Sequence, residues 1–303
     1  MSTTTRSDRA QASGRTAAAV RQQRRRSPLL LLVPILFVLV LFAYPVLEMF
    51  RQSFTDFVEP GSGPFENYVW FLGDETQRTI LLRTFVVAIG VTAACLVIGF
   101  PYAYLMTLVG PKVRLLMIAT IMLPFWTSLL VRLYAWVILL QPSGPLLSFL
   151  RLFGIDDLEL LGTSWGVAIG SIQVLLPFLV LPLYASLSTI DRRLLDAAES
   201  LGAKPRVAFF RVYLPLAVPG MLAGSTIVFI FMLGFYFTPA FLGSSTNSLI
   251  SQQVVNQISR LLAFGRGGAM ALVLLVLTML LLALAALASR RFTRALGAGG
   301  RDE

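Results

Sequence analysis

Residues 191–215 read Asp191-Arg-Arg-Leu194-Leu195-Asp196-Ala197-Ala198-Glu-Ser-Leu201-Gly202-Ala-Lys204-Pro205-Arg-Val-Ala-Phe-Phe-Arg-Val212-Tyr213-Leu214-Pro215, a polar interval between two long apolar runs. A helix from Asp191 places Leu194, Leu195, Ala198 and Leu201 on one side, an apolar stripe at helical spacing. Ala197 and Ala198 are small enough to let a partner approach closely. Gly202 can take the positive φ that ends one helix and turns the chain into the next. Lys204-Pro205 then starts a second segment, with proline acceptable in a first turn. Two readings follow, a pair of short helices that docks on a partner or an amphipathic hairpin lying on a lipid surface.

The surroundings of this interval set the class. The chain has 56% hydrophobic and 13% charged residues, a departure from soluble composition toward a membrane protein. A bilayer core needs about 20 mainly apolar residues per crossing helix. Six runs qualify: Pro28 to Met49, Thr84 to Leu108, Leu115 to Leu140, Trp165 to Leu187, Leu216 to Phe241 and Gly267 to Ser289. They predict an all-α membrane protein with one six-span domain over residues 28–292, in which residues 190–215 form a loop. Residues 293–303 are expected as a C-terminal tail. The first 27 residues, rich in Ser, Thr, Ala, Gln and Arg, are expected as a basic disordered tail followed by an uncleaved first span, since no small-x-small cleavage site ends that run. Pro101, Pro124, Pro177, Pro182, Pro215 and Pro219 predict kinks or broken helices, tolerated where neighbours satisfy the freed backbone groups.

Basic residues alternate between the connections. Seven Arg precede the first span, Lys112 and Arg114 follow the second, five Lys or Arg lie between Asp191 and Leu214, and four Arg follow the last span. The other connections hold Asp56, Glu59, Glu66, Asp74, Glu75, Asp156, Asp157 and Glu159. Cationic connections stay cytosolic, which predicts that both termini and the 190–215 loop share the cytosolic side. This topology accounts for the net charge of +10 without a nucleic-acid partner. The chain has no His and one cysteine, Cys95, inside an apolar run, so an internal disulfide is excluded and a His/Cys metal site is not expected. Gly-Lys occurs nowhere, which removes the phosphate-cradling loop of an ATPase.

Asp196-Ala197-Ala198, three residues, Gly202, nine residues, Val212-Tyr213-Leu214-Pro215 resembles the "EAA" loop of bacterial ABC-import permeases, Glu-Ala-Ala, three residues, Gly, nine residues, Ile-x-Leu-Pro. Asp stands for Glu and Val for Ile, and every spacing agrees. The resemblance implies a type I importer permease in the bacterial plasma (inner) membrane, with a cytosolic coupling loop carrying Asp196, Ala197, Ala198, Gly202, Leu214 and Pro215. It implies as partners a cytosolic ABC ATPase dimer that uses ATP and Mg, a second and related permease subunit, and an external substrate-binding protein. The chain itself would bind no cofactor and catalyse no covalent chemistry.

Leu123-Pro124-Phe125-Trp126-Thr127-Ser128, followed by Arg132, Tyr134, Ala135 and Trp136, is similar to the third-span signature of spermidine and putrescine permeases. Phe237-Thr238-Pro239-Ala240-Phe241-Leu242-Gly243 resembles their outer gate region. The resemblance covers Pro28 to Phe292 and implies polyamine import. Several polyamine permeases carry an acidic residue just before the second segment, where Gly234-Phe235-Tyr236 stands here, so another small organic nitrogen compound is the alternative. A secondary transporter would also be helical and kinked, but more often shows acidic residues within its spans. Arg132 is the one charge deep in a run, a position that marks a pathway or a bundle interior, with Glu48 as one possible partner. Alternatively it bonds carbonyls or reaches the interface. Trp126, Tyr134, Trp136 and Tyr236 can stack on a cation or anchor the interface. The expected pathway residues are Trp126, Arg132 and Tyr236.

Overall fold

An apolar chain in lipid must satisfy its backbone internally, and the computed structural model, which describes residues 34–58, 63–155 and 158–298 and side chains through Leu287, is built from helices. In chain order they are α1 (Pro34–Thr55), α2 (Glu66–Gly73), α3 (Glu75–Leu108), α4 (Pro111–Met122), α5 (Leu129–Leu140), α6 (Pro145–Arg151), α7 (Ser164–Leu187), α8 (Arg193–Ser200), α9 (Pro205–Ala208), α10 (Leu214–Leu233), α11 (Phe237–Leu242), α12 (Ile250–Ser259) and α13 (Phe264–Ala298). Six stretches among the described residues are long and apolar enough to cross a membrane: Pro34–Thr55, Glu75–Leu108, Leu129–Arg151, Ser164–Leu187, Pro205–Leu233 and Phe264–Leu287.

The centre is a three-helix contact among α3, α7 and α10. Leu179 of α7 is fully buried there, between two glycines. A Cβ on Gly99 of α3 would lie 2.5 Å from its Cδ2, and one on Gly224 of α10 would lie 2.9 Å from its carbonyl oxygen. Lipid supplies no hydrophobic drive for helices to meet, so close backbone approach through small residues does much of the binding. By contrast α1 stands at the margin, with Ile35 to Phe42 all exposed.

Several boundaries differ from the expected runs. The third run is split. Helix α4 ends at Met122, a tight turn covers Leu123–Trp126, and Thr127 and Ser128 are extended before α5 begins. Pro124 has no N–H to continue the ladder, and the Thr127 hydroxyl donates to the Pro124 carbonyl at 2.8 Å, closing the turn. Leu129–Arg151 has the length of a span, but Gln141–Gly144 turns α6 back onto α5. At 1.5 Å per residue α4 and α5 together hold about 36 Å of helix, the length that the expected third run needs to cross a bilayer core. The fifth helix stops at Leu233, short of Phe241, because Gly234 opens a turn before α11. The second span starts at Glu75 and the sixth at Phe264, each earlier than its apolar run, and α13 continues past Ser289 to Ala298. Pro101, Pro177, Pro182 and Pro219 lie inside helices that run unbroken through them, and Pro215 sits in the first turn of α10. The expected tail over residues 1–27 and the start of the first span lie outside the described residues.

Two ends can be distinguished. At one, the end of α3 meets the α7–α10 connection. The far end is tied by hydrogen bonds between segments remote in sequence. Gly162 N–H donates to the Leu242 carbonyl at 2.8 Å, and Ser244 Oγ donates to the Gly162 carbonyl at 2.7 Å. Arg83 Nη1 donates to the Thr246 carbonyl at 2.6 Å. The buried Ile250 N–H donates to Thr84 Oγ1 at 2.9 Å. Between α12 and α13, Leu262 has φ 53, the one non-glycine residue with positive φ among the described residues.

Candidate coupling loop and translocation face

The connection from α7 to α10 is built locally. Asp191 Oδ1 accepts the Arg193 N–H at 2.9 Å and so opens α8. Asp196 lies in its first turn, where a carboxylate is favoured by the helix dipole. Gly202, at φ +89, ends the helix. Its N–H donates to the Glu199 carbonyl at 2.9 Å and the Ala203 N–H to the Ala198 carbonyl at 3.1 Å, the paired bonds of a Schellman turn. Lys204 is extended and Pro205 starts α9. A single widened turn, Phe209–Tyr213, then joins α9 to α10; such turns recur at functional sites.

The expected stripe divides. Leu195 packs against the core and Ala198 is half-buried, whereas Leu194 is exposed and Leu201 is 90% exposed. Asp196, Ala197 and Gly202 are exposed, and Leu214 and Pro215 are half-buried where α10 begins. The loop therefore offers Leu194, Ala197 and Leu201, at i, i+3 and i+7, as an outward apolar stripe with a carboxylate beside it.

Its inner side grips the membrane helices. Tyr213 is buried and meets Tyr104 edge-on at 5.2 Å, while Phe209 lies stacked on Tyr213 at 5.5 Å and edge-on to Tyr104 at 5.4 Å and Phe100 at 6.3 Å. Arg192 Nη2 donates to Thr107 Oγ1 at 2.9 Å. Arg114 at the start of α4 donates to the Met106 and Val109 carbonyls, each at 3.1 Å, and lies 5.7 Å from the Tyr184 ring. The motif reading missed these contacts. A signal for them existed: Phe100/Tyr104 and Phe209/Tyr213 are both i, i+4 aromatic pairs, each on one helical face.

The expected pathway residues are not gathered in one cavity. Trp126 is 90% exposed at the break between α4 and α5. Arg132 lies on α5 with its guanidinium carbon 5.9 Å from the Phe125 ring, and its Nε and Nη1 are buried with no hydrogen-bond partner among the described residues. From Phe125 a line of edge-on rings continues through Phe178 at 5.5 Å to Phe231 at 4.8 Å. Glu48 does not meet Arg132; it accepts from Arg51 Nε at 2.9 Å and Gln52 Nε2 at 3.0 Å on its own helix. Trp136 is tied by its indole N–H to Gln173 Oε1 at 2.7 Å. Tyr236 instead lines a far-end cavity of about 350 Å³ with Ser244, Ser248, Gln253, Asn256 and Arg260.

Known proteins share these features. The profile of the family "Binding-protein-dependent transport system inner membrane component" matches residues 116–295, from α4 through the α7–α10 connection into α13. The spermidine/putrescine transport system permease protein PotB of Escherichia coli (strain K12) is 35% identical over 211 residues, 69% of this chain and 76% of that protein. The PotB of Haemophilus influenzae is 38% identical over 188 residues, 61% of this chain and 66% of that protein. Among solved structures, a chain of the bacterial alginate ABC transporter, crystallised with an alginate pentasaccharide-bound periplasmic protein, superposes with a TM-score of 0.71 at 21% identity over 89% of this chain and 96% of that one. It shares the fold. With its six apolar spans, its split third run and a Gly202-centred loop gripping α3 and α10, the chain belongs to the binding-protein-dependent transport system inner membrane components and is a permease subunit of an ABC importer.

Proposed function

We propose that this permease imports polyamines, spermidine or putrescine, delivered by an external binding protein, and that it works beside a second, related permease on a cytosolic ATPase dimer. The observation that carries the coupling part is the two-sided loop: Leu194, Ala197, Leu201 and Asp196 face outward, while Arg192, Phe209 and Tyr213 hold α3 from within. ATP and Mg bind on the ATPases, whose closure displaces α8. The aromatic cluster and the Arg192–Thr107 bond carry that displacement into the ends of α3 and α10. The loop and both termini face the cytosol in this reading, as their Arg and Lys content requires. The polyamine assignment rests on the similarity to the two PotB proteins. Arg132, with Trp126 open beside it, is read as a pathway residue at the face toward the second permease. Tyr236 belongs to the outer entrance.

One observation favours a second substrate reading, another small organic nitrogen compound: the Tyr236 cavity contains Arg260 and no carboxylate, whereas a polyamine is a multiple cation. The experiment is ATP-dependent uptake of radiolabelled spermidine and putrescine by the complete complex in liposomes with its binding protein, for the wild type and for Asp196→Arg and Arg132→Ala. Polyamine accumulation that Asp196→Arg abolishes supports the reading. Normal uptake by well-inserted Asp196→Arg removes the loop as the transmission element, and no binding of any polyamine by the cognate binding protein removes the substrate. Reporter fusions after Leu187 and Leu140 should mark cytosol and exterior respectively; the reverse would overturn the topology.

A further inference from the structure

The corner where α1 ends, α2 lies and α13 begins is tied by hydrogen bonds. Asn67 Nδ2 donates to the carbonyls of Ser53 and Asp56 at 3.0 and 2.9 Å, and Asp56 Oδ2 accepts the Gly265 N–H at 3.0 Å. This corner is at the far end, since α2 leads into α3, whose other end is bonded to Arg192. Here a cavity of about 480 Å³ is lined by Phe65, Glu66, Trp70 and Arg266 among others. The Arg266 guanidinium carbon lies 4.5 Å from the centre of the Trp70 ring. Glu66 Oε2 and Arg266 Nε are both buried, and neither has a hydrogen-bond partner among the described residues. No ion pair joins Glu66 to Arg266 among those residues. The cavity thus carries one anionic and one cationic group, neither of them paired with the other or fully bonded among the described residues. Burying such groups is costly unless something pairs with them.

A second cavity of about 420 Å³ shares Phe65 with the first and is lined only by aromatic and aliphatic groups, including Phe54, Leu72, Val276 and Leu277. Tyr68 adds its ring, with its hydroxyl bonded to Ser53 Oγ at 2.7 Å. Val276 and Leu277 lie about 15 Å beyond Arg266 along α13, at 1.5 Å per residue. Arg266 is the third residue of a membrane span, so it sits at the interface and the apolar cavity lies at acyl depth. Trp at that level is the usual interfacial anchor.

We propose that this corner is a binding site for a zwitterionic phospholipid with a primary-amine headgroup: the phosphate pairs with Arg266, held over the Trp70 ring, the ammonium pairs with Glu66, and an acyl chain fills the groove beneath. A free phosphoamine shares the headgroup chemistry but not the groove. The test is native mass spectrometry of the full-length chain in detergent micelles, titrated with phosphatidylethanolamine, with phosphatidylglycerol and with free phosphoethanolamine. Wild-type protein should retain phosphatidylethanolamine in preference to phosphatidylglycerol. Arg266→Gln should lower that retention about tenfold, the loss of one charge-assisted hydrogen bond. Glu66→Gln, which keeps the side chain's shape, should abolish the preference, and Val276→Trp should lower retention by filling the groove. Equal retention of both lipids by the wild type, a preference kept by Glu66→Gln, or retention unchanged in Val276→Trp would overturn the site. Competition by phosphoethanolamine at the lipid's own concentration would overturn the lipid as its ligand.

Discussion

Two reversals of the chain, one at each end of the bundle, each set one residue at positive φ, with different residues. After α8 the left-handed position is Gly202 at φ +89, and after α12 it is Leu262 at φ 53. Glycine enters that region freely, whereas for an L-residue with a branched side chain it costs about 1–2 kcal/mol. The Gly202 turn is satisfied within five residues by its own Schellman bonds. The Leu262 turn also closes on its own helix, with Leu261 N–H donating to the Asn256 carbonyl at 3.1 Å and Ala263 N–H to the Gln257 carbonyl at 2.9 Å, and it is held in addition from outside, by the Thr84–Ile250 bond that ties α12 to α3 and by the packing of α12 on α13. Leu262 is itself 67% exposed and gains little from burial. Both turns thus close locally, and the far end adds a long-range closure on α3 that the Gly202 turn does without.

Substitutions can break that contrast. The largest effect belongs to Tyr213→Ala, which removes a fully packed ring from the cluster on α3; a loss of about 3–5 kcal/mol is expected for a buried aromatic, seen as a lowered thermal unfolding midpoint in detergent. Thr84→Val keeps the shape but leaves the Ile250 N–H without its acceptor, at a cost of about 1–3 kcal/mol. Proteolysis should report it first at the α11–α12 segment. A stability unchanged from wild type would mean that α12 does not depend on this bond. Gly202→Val should cost about 1–2 kcal/mol through φ alone, since open space surrounds the position. Its larger consequence is for transport, with uptake and substrate-stimulated ATP hydrolysis falling while the chain remains inserted. Smallest is Leu262→Gly, which should stabilise by up to about 1 kcal/mol if strain outweighs the added freedom of the unfolded chain. A destabilised Leu262→Gly would show that the side chain holds the turn.

The same contrast explains what the sequence disclosed. The conformation of the 191–215 connection was legible because its signals are local: Asp196-Ala197-Ala198, the glycine at 202 and the proline at 205 each act within a turn or two. Helix α7 was legible too, as a continuous apolar run. The break at Pro124 was half legible. Five other prolines carry the same signal, but four lie inside continuous helices and Pro215 sits in a first turn, because whether neighbours repair the missing bond depends on packing. The far end was not legible, since nothing in a string of Ser, Thr and Asn tells which hydroxyl will meet the Gly162 carbonyl or the Ile250 N–H. The pathway residues failed to converge for a related reason. Trp126, Arg132 and Tyr236 were chosen by residue type, and the bend at Gly234 carries Tyr236 into a cavity that neither of the other two lines.

The clasp of Leu179 between Gly99 and Gly224 bears on how this chain can drift over generations. A methyl group gained at Gly99 meets the Leu179 side chain and can be matched by carbon lost at 179, whereas one gained at Gly224 meets the Leu179 carbonyl oxygen, which every residue at 179 carries. Positions 99 and 179 can therefore change as a pair, and position 224 cannot be released by any change at 179. Among the descendants of this chain a linked pair should stand beside a fixed glycine, while the exposed flank of α1 changes one position at a time.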